Sequence, residues 1–226
     1  MKAIVVGAGS TIYDKNHLEL LAKSNFDGYV MLSDRILKYA LEQGITPRKF
    51  PKYYVATIND LVIHNKWHIM ELFFNHQIIR KHAKNIKCFL STQVHPRQKD
   101  YLIDMGINIA GYYDPQDKTR LYPLSSNTKV TKLRDCEDVS IALWNIARNI
   151  FQCSDIALLG VDHSFSKYDA VLFNGNSPSR DRTLSCALEL LGQAEDIQTY
   201  NCTDGGRLYG KGIINSTLEN FLKSCK

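Results

Sequence analysis

No apolar run in this 226-residue chain approaches the length of a membrane-crossing helix. The opening apolar run, Ala3-Ile4-Val5-Val6, is far too short for a secretory signal and continues into a glycine turn. These absences predict a cytoplasmic protein with no membrane span. The six cysteines, Cys88, Cys136, Cys153, Cys186, Cys202 and Cys225, show neither a CxxC pair nor a metal-ligand spacing. In a cytoplasmic setting they are expected to be reduced, and either buried or incidental. A strong charge of one sign is missing too, since Lys+Arg 28 against Asp+Glu 23 leaves only +5. That dispersed excess suits an anionic small molecule and gives no argument for nucleic acid.

What is present is alternation. Strand-like segments at residues 2–6, 29–32, 53–58, 88–90, 107–110, 156–159 and 198–202 are separated by helix-like ones. Helices are expected near 15–23, from Asp34 to a Gly44 stop, at 66–83, at 96–105, and before Leu191. The clearest is the stripe Val139, Ala142, Leu143, Ile146, Ala147 and Ile150, which faces a core, with Trp144 packing beside it. A capping box from Ser216 to Glu219 opens a last short helix. Residues 114–134 form a polar stretch long for a connection. Together these features predict one α/β domain over 1–226, Rossmann-like, with a mostly parallel sheet and helices on both faces.

Polar clusters stand where the strands end: Gly7–Thr11, Ser33-Asp34, Thr57–Asp60, Ser91–His95, Gly160–Ser164 and Thr203–Arg207. In parallel sheets ligands bind beyond the carboxyl ends of the strands, so six clusters on one edge point to a ligand site. The Gly7-Ala8-Gly9-Ser10-Thr11 turn reads either as a tight strand-to-helix connection or as a phosphate cradle. It is not GxGxxG, because Ile12 takes the third glycine position, and no Lys follows as in a P-loop.

The GAGS turn, Asp34 followed by GITP, LLGVDHSF, and YNCTDGGRLYGKGI come in an order that resembles the MptE-like family. That family includes archaeal 6-hydroxymethyl-7,8-dihydropterin diphosphokinases. It also includes the central domain of bacterial motility accessory factors, implicated in transferring nonulosonic acid sugars to flagellin. The fold is similar to that of bacterial sialyltransferases, which share a GxGPS turn and a later G-x-D-F stretch. The resemblance spans nearly the whole chain, and its specificity comes from motif order. Three departures stand out. The turn lacks the family Pro, and the T-D-L-D segment reads Thr57-Ile58-Asn59-Asp60. The long helix begins at Cys136-Glu137-Asp138 in place of glycines; those carboxylates favour the helix dipole or hold a metal.

The resemblance implies a nucleotide-dependent transferase acting on a small-molecule acceptor, with diphosphoryl transfer from ATP and Mg²⁺ to a hydroxymethyl, pterin-like group. The alternative is a glycosyltransferase using a CMP-activated acidic sugar, with metal optional; a third reading is a degenerate nucleotide-binding protein. Gly7, Gly9 and Ser10 would hold nucleotide phosphate. Asp34 would bind ribose or base, or simply cap a helix. Asn59 and Asp60 would hold Mg²⁺, or form a turn. Asp60, Asp162 and His163 are the catalytic candidates, His163 as a proton carrier. Asp204, Gly205, Gly206 and Arg207 suit a phosphate or carboxylate sugar, or a Gly-Gly turn. His64 and His68 stand at i, i+4 without the Glu of HExxH, so no zinc site is expected. The sequence leaves the oligomeric state open.

Overall fold

The computed structural model describes residues 1–57, 74–115, 129–134, 136–163 and 180–225. Nine strands among these residues form one sheet in which every neighbouring pair is parallel. They are β1 (Lys2–Val6), β2 (Tyr29–Ser33), β3 (Tyr53–Thr57), β4 (Lys87–Ser91), β5 (Asn108–Pro115), β6 (Val130–Leu133), β7 (Asp155–Leu159), β8 (Gln198–Asn201) and β9 (Ile213–Asn215). Their order is β6-β5-β4-β3-β2-β1-β7-β8-β9. The chain thus steps outward from β1 to β6, then returns to lay β7 on the other side of β1.

Alternation of side chains builds two cores. Ile4, Val6, Val30, Leu32 and Val55 point to one face. There they meet α2 (His17–Lys23), α3 (Leu37–Glu42), α4 (Gln77–His82), α5 (Pro96–Asp104) and α8 (Leu218–Lys223) through residues such as Leu21, Leu37, Ile79, Leu102 and Phe221. Ala3, Val5, Met31 and Ala56 point to the other face and meet α6 (Val139–Asn149) and α7 (Arg180–Gly192). A central strand buried on both sides must be apolar at every position, which is why Ala3–Val6 shows no polar residue. The expected α/β sheet with helices on both faces is therefore the fold, and it is wholly parallel. No helix of the described residues is long and apolar enough to cross a membrane.

Several details depart from the expectations. The polar stretch after Asp114 contains β6, and Ile213–Asn215 adds β9 beyond the strand expected to be last. Both are short edge strands, half exposed, and carry little hydrophobic signal. The helix expected at 15–23 is α2, which starts at His17, and a separate single turn, α1 (Thr11–Asp14), precedes it across an extended Lys15. The last helix is capped by Thr217, which accepts from the Asn220 N–H at 3.2 Å, so the cap lies one residue beyond Ser216. Trp144 is fully buried as expected, and its indole N–H donates to Thr199 Oγ1 at 3.0 Å. Residues 66–73 of the helix expected at 66–83 lie outside the described residues, and the described part is helical over α4, after an extended His76.

Two of the six cysteines are joined, contrary to the expectation of reduced thiols: Cys136 and Cys186 form a disulfide with Cα atoms 5.5 Å apart. Fifty residues separate them, so no local pattern announced the pairing. Cys88, Cys153 and Cys202 are buried thiols; burial pushes Cys153 up to about 11 and Cys202 up to about 12, which keeps them protonated and unreactive. The disulfide ties the loop before α6 to α7. Closing a loop of that length restricts the unfolded chain by roughly 2–4 kcal/mol. Cys186→Ser should therefore lower unfolding stability by about that amount. The difference from the wild-type protein should vanish when both are measured in reductant.

Candidate functional site

Because all strands run the same way, the described residues of the clusters after β1, β2, β3, β4, β7 and β8 share one edge of the sheet. The strand order reverses between β1 and β7, and the crevice outside their carboxyl ends is where ligands settle on such sheets. The opening turn and the Gly160–His163 segment line it.

The opening turn is drawn tightly onto β7. The Gly7 N–H donates to the Leu159 carbonyl and the Gly9 N–H to the Gly160 carbonyl, both at 2.8 Å. A Cβ on Gly7 would lie 2.6 Å from the Gly160 carbonyl oxygen and 2.8 Å from Ser140 Oγ. A Cβ on Gly9 would lie 2.4 Å from the Asp162 carboxyl group. Both glycines are thus required for close approach within the protein. Asp162, almost fully buried, accepts from the Thr11 N–H at 3.0 Å and from the Ser10 hydroxyl at 3.3 Å. The corner in which an anion would sit on this turn holds the chain's own carboxylate.

The loop after β8 closes over the same residue. Gly206 has φ +81°, and a Cβ there would come 2.4 Å from both Cα and the carbonyl oxygen of Asp162. The Arg207 N–H donates to the Asp162 carbonyl at 2.8 Å. Gly205 faces Thr11, while the Arg207 guanidinium points away to an exposed pair with Asp181 at 2.8 Å. Asp204 bonds His17 Nε2 at 2.9 Å. His17, buried on α2, went unnoticed in the sequence because its partner lies 187 positions away.

Asp34 and Thr57 end β2 and β3 on the α3 face. Asp34 Oδ1 accepts from the Arg35 N–H at 2.8 Å. Burial pushes the Asp34 carboxyl above the usual carboxylate range, opposed in part by the Thr57 hydroxyl and the Arg35 charge. Asp34 Oδ2 and Thr57 Oγ1, at neighbouring strand ends, remain without a hydrogen-bond partner. The same holds for Ser33 Oγ, Thr92 Oγ1, Thr11 Oγ1 and both ring nitrogens of His163. An orphaned buried polar atom costs about 1–3 kcal/mol, so this edge carries concentrated, unmet hydrogen-bonding capacity.

The His163 side chain is turned to different partners from that of Asp162. Its ring lies on the α6 side, with Nδ1 3.7 Å from Asp138 Oδ2. Five non-glycine residues among those described have positive φ, and four of them, Cys136, Glu137, His163 and Asp204, lie in these loops. Such conformations gather where the surrounding structure enforces a particular geometry. Asn59 and Asp60 lie outside the described residues, as do His64, His68, Ser164 and Phe165. Among the described residues no group of three or more His, Cys, Asp or Glu side chains is placed to hold a metal. A groove of about 550 Å³ between loops 24–27 and 49–52 opens at the opposite, amino edge and contains none of the orphaned groups.

Comparisons with protein-family models, with curated proteins and with solved structures find no match. By its fold and its polar edge the chain is a parallel α/β protein with a candidate ligand crevice at the switch point of its sheet.

Two outcomes follow from this geometry. Gly9→Ala should cost about 1–3 kcal/mol by overpacking the Asp162 carboxyl. In an Asp162→Ala background, which removes the three atoms nearest the new Cβ, most of that cost should disappear, a coupling readable from denaturant unfolding of the four proteins. The raised pKa of Asp34 means that the folded state holds this proton more tightly than the unfolded chain. Its contribution is favourable below the usual carboxylate range near pH 4 and is lost as pH rises through the folded value. Asp34→Asn should therefore be more stable than wild type at neutral pH, with the gap closing as pH falls toward 4, measured by unfolding across pH.

Proposed function

We propose that the crevice outside β1 and β7 is the donor site of a nucleotide-dependent transferase. The observation that carries this reading is the row of buried polar atoms without partners at the ends of β2, β3, β4 and β7, beside the switch point. Such a row suits a ligand rich in hydroxyl and heteroatom edges, which a nucleotide supplies.

The first form of the reading is Mg²⁺-dependent diphosphoryl transfer from ATP to a hydroxymethyl, pterin-like acceptor, as the family resemblance implies. Asn59 and Asp60 would hold the cation, which would neutralise charge on the transferred group. Gly7, Gly9 and Ser10 would line the phosphates, and Asp162 would have to leave the turn to admit them. The second form is transfer of an acidic sugar from a CMP-activated donor. One observation favours it: the Asp162 carboxylate occupies the corner of the opening turn, accepting from the Thr11 N–H and the Ser10 hydroxyl, while the Arg207 side chain faces away to Asp181. A donor with a single phosphodiester charge meets less repulsion there than a triphosphate.

Thermal unfolding with ATP plus Mg²⁺ against CMP separates the two forms. A nucleotide at a hundred times its dissociation constant stabilises by about 2.7 kcal/mol. A shift with ATP that EDTA abolishes, together with a roughly hundredfold loss of turnover in Asp60→Asn, supports diphosphoryl transfer. A shift with CMP that survives EDTA supports sugar transfer, and binding without turnover marks a degenerate binding protein. A protein stabilised by neither nucleotide overturns the proposal.

A further inference from the structure

Asp138 is held by the helix that follows it. It is the N-cap of α6, and one of its carboxylate oxygens, Oδ1, accepts from the Ser140 N–H at 2.6 Å. That bond fixes the carboxylate and leaves Oδ2 turned toward His163 Nδ1, 3.7 Å away. The His163 side chain is 1% exposed, yet neither ring nitrogen has a hydrogen-bond partner among the described residues. Its backbone is held at φ +49°, and Cys136 and Glu137, directly before Asp138, are held at φ +52° and +59°. The Cys136–Cys186 disulfide anchors that loop two residues from Asp138. Two strained segments are thus pinned so that a fixed acid faces an unsatisfied imidazole.

We infer that Asp138 is a positioning residue that selects the Nδ1–H tautomer of His163, so that Nε2 serves as the base for a hydroxyl acceptor. The inference rests on the transferase reading above. The acceptor's O–H bond breaks and its proton passes to Nε2 while its oxygen bonds to the group carried by the nucleotide donor. The bond from that group to the nucleotide oxygen breaks, and the electron pair leaves with the nucleotide. The proton ends on the imidazolium, which faces the Asp138 carboxylate. A 3.7 Å approach is longer than a hydrogen bond, as catalytic contacts often are before substrate tightens them. An acid oriented by its own helix cap and facing Nδ1 sets the tautomer of a histidine in the way that outer partners fix metal-bound and catalytic imidazoles.

The ring ¹⁵N chemical shifts of His163 test this without any substrate, with His163→Ala supplying the assignment. The wild-type protein should show the Nδ1–H tautomer. In Asp138→Asn the capping bond to Ser140 takes the amide oxygen and turns the NH₂ toward His163, so the ring should switch to Nε2–H. Asn caps a helix as well as Asp does, so the fold should be retained. Asp138→Ser, which also caps but offers Nδ1 no group, should give a mixture, and it carries the test if the Asn variant does not fold. A wild-type ring already in the Nε2–H form, or a tautomer indifferent to both substitutions, overturns the inference. A tautomer switch in a protein that neither ATP nor CMP stabilises leaves the pair intact and removes the transferase reading instead.

Discussion

Asp162 is the point on which the candidate site is assembled. Three loops, after β1, β7 and β8, meet at this one residue. The opening turn gives it two donors and the loop after β8 gives its carbonyl a third. The two loops that close on it each have a glycine where a side chain would collide with it: Gly9 against the carboxylate, Gly206 against the backbone. The carboxylate takes the place an external anion would take on the turn. The positive ends of the backbone dipoles there are satisfied internally. The corner of the turn is therefore filled by the chain's own carboxylate.

Around that clasp the molecule divides sharply in polarity. The slab between the helices is apolar at nearly every position, and its burial supplies the stability. The strand ends carry the opposite character, with Ser33, Asp34, Thr57, Thr92 and His163 buried and incompletely bonded. Charging Asp34 in that setting costs stability, as does each left-handed non-glycine residue in the loops. A rigid parallel sheet can carry such costs at its edge, because the edge residues contribute little to either core.

The sequence exposed the fold well where the physics is local. Ala3–Val6 reads as a doubly buried strand because nothing polar interrupts it, and the 139–150 stripe reads as a helix because its period matches one face. β6 and β9 escaped because short edge strands bury few side chains, so pattern alone does not separate them from loops. The Ser216 cap fell one residue short because Ser216 and Thr217 offer the same chemistry, and only the turn geometry chooses between them.

The candidate site divides along the same line. Sequence by itself determined that Gly7–Thr11, Ser33-Asp34, Gly160–His163 and Thr203–Arg207 share an edge. Alternating strands and helices force parallel strands, and parallel strands put their carboxyl ends together. Tertiary structure alone decided which of those residues touch. Asp162 turned to Ser10 and Thr11, His163 to Asp138, Asp204 to His17, and Cys136 to Cys186. These partners lie 25 to 187 positions apart. Their pairing depends on how loops pack after the sheet has formed, and no local periodicity or propensity encodes a contact across that distance.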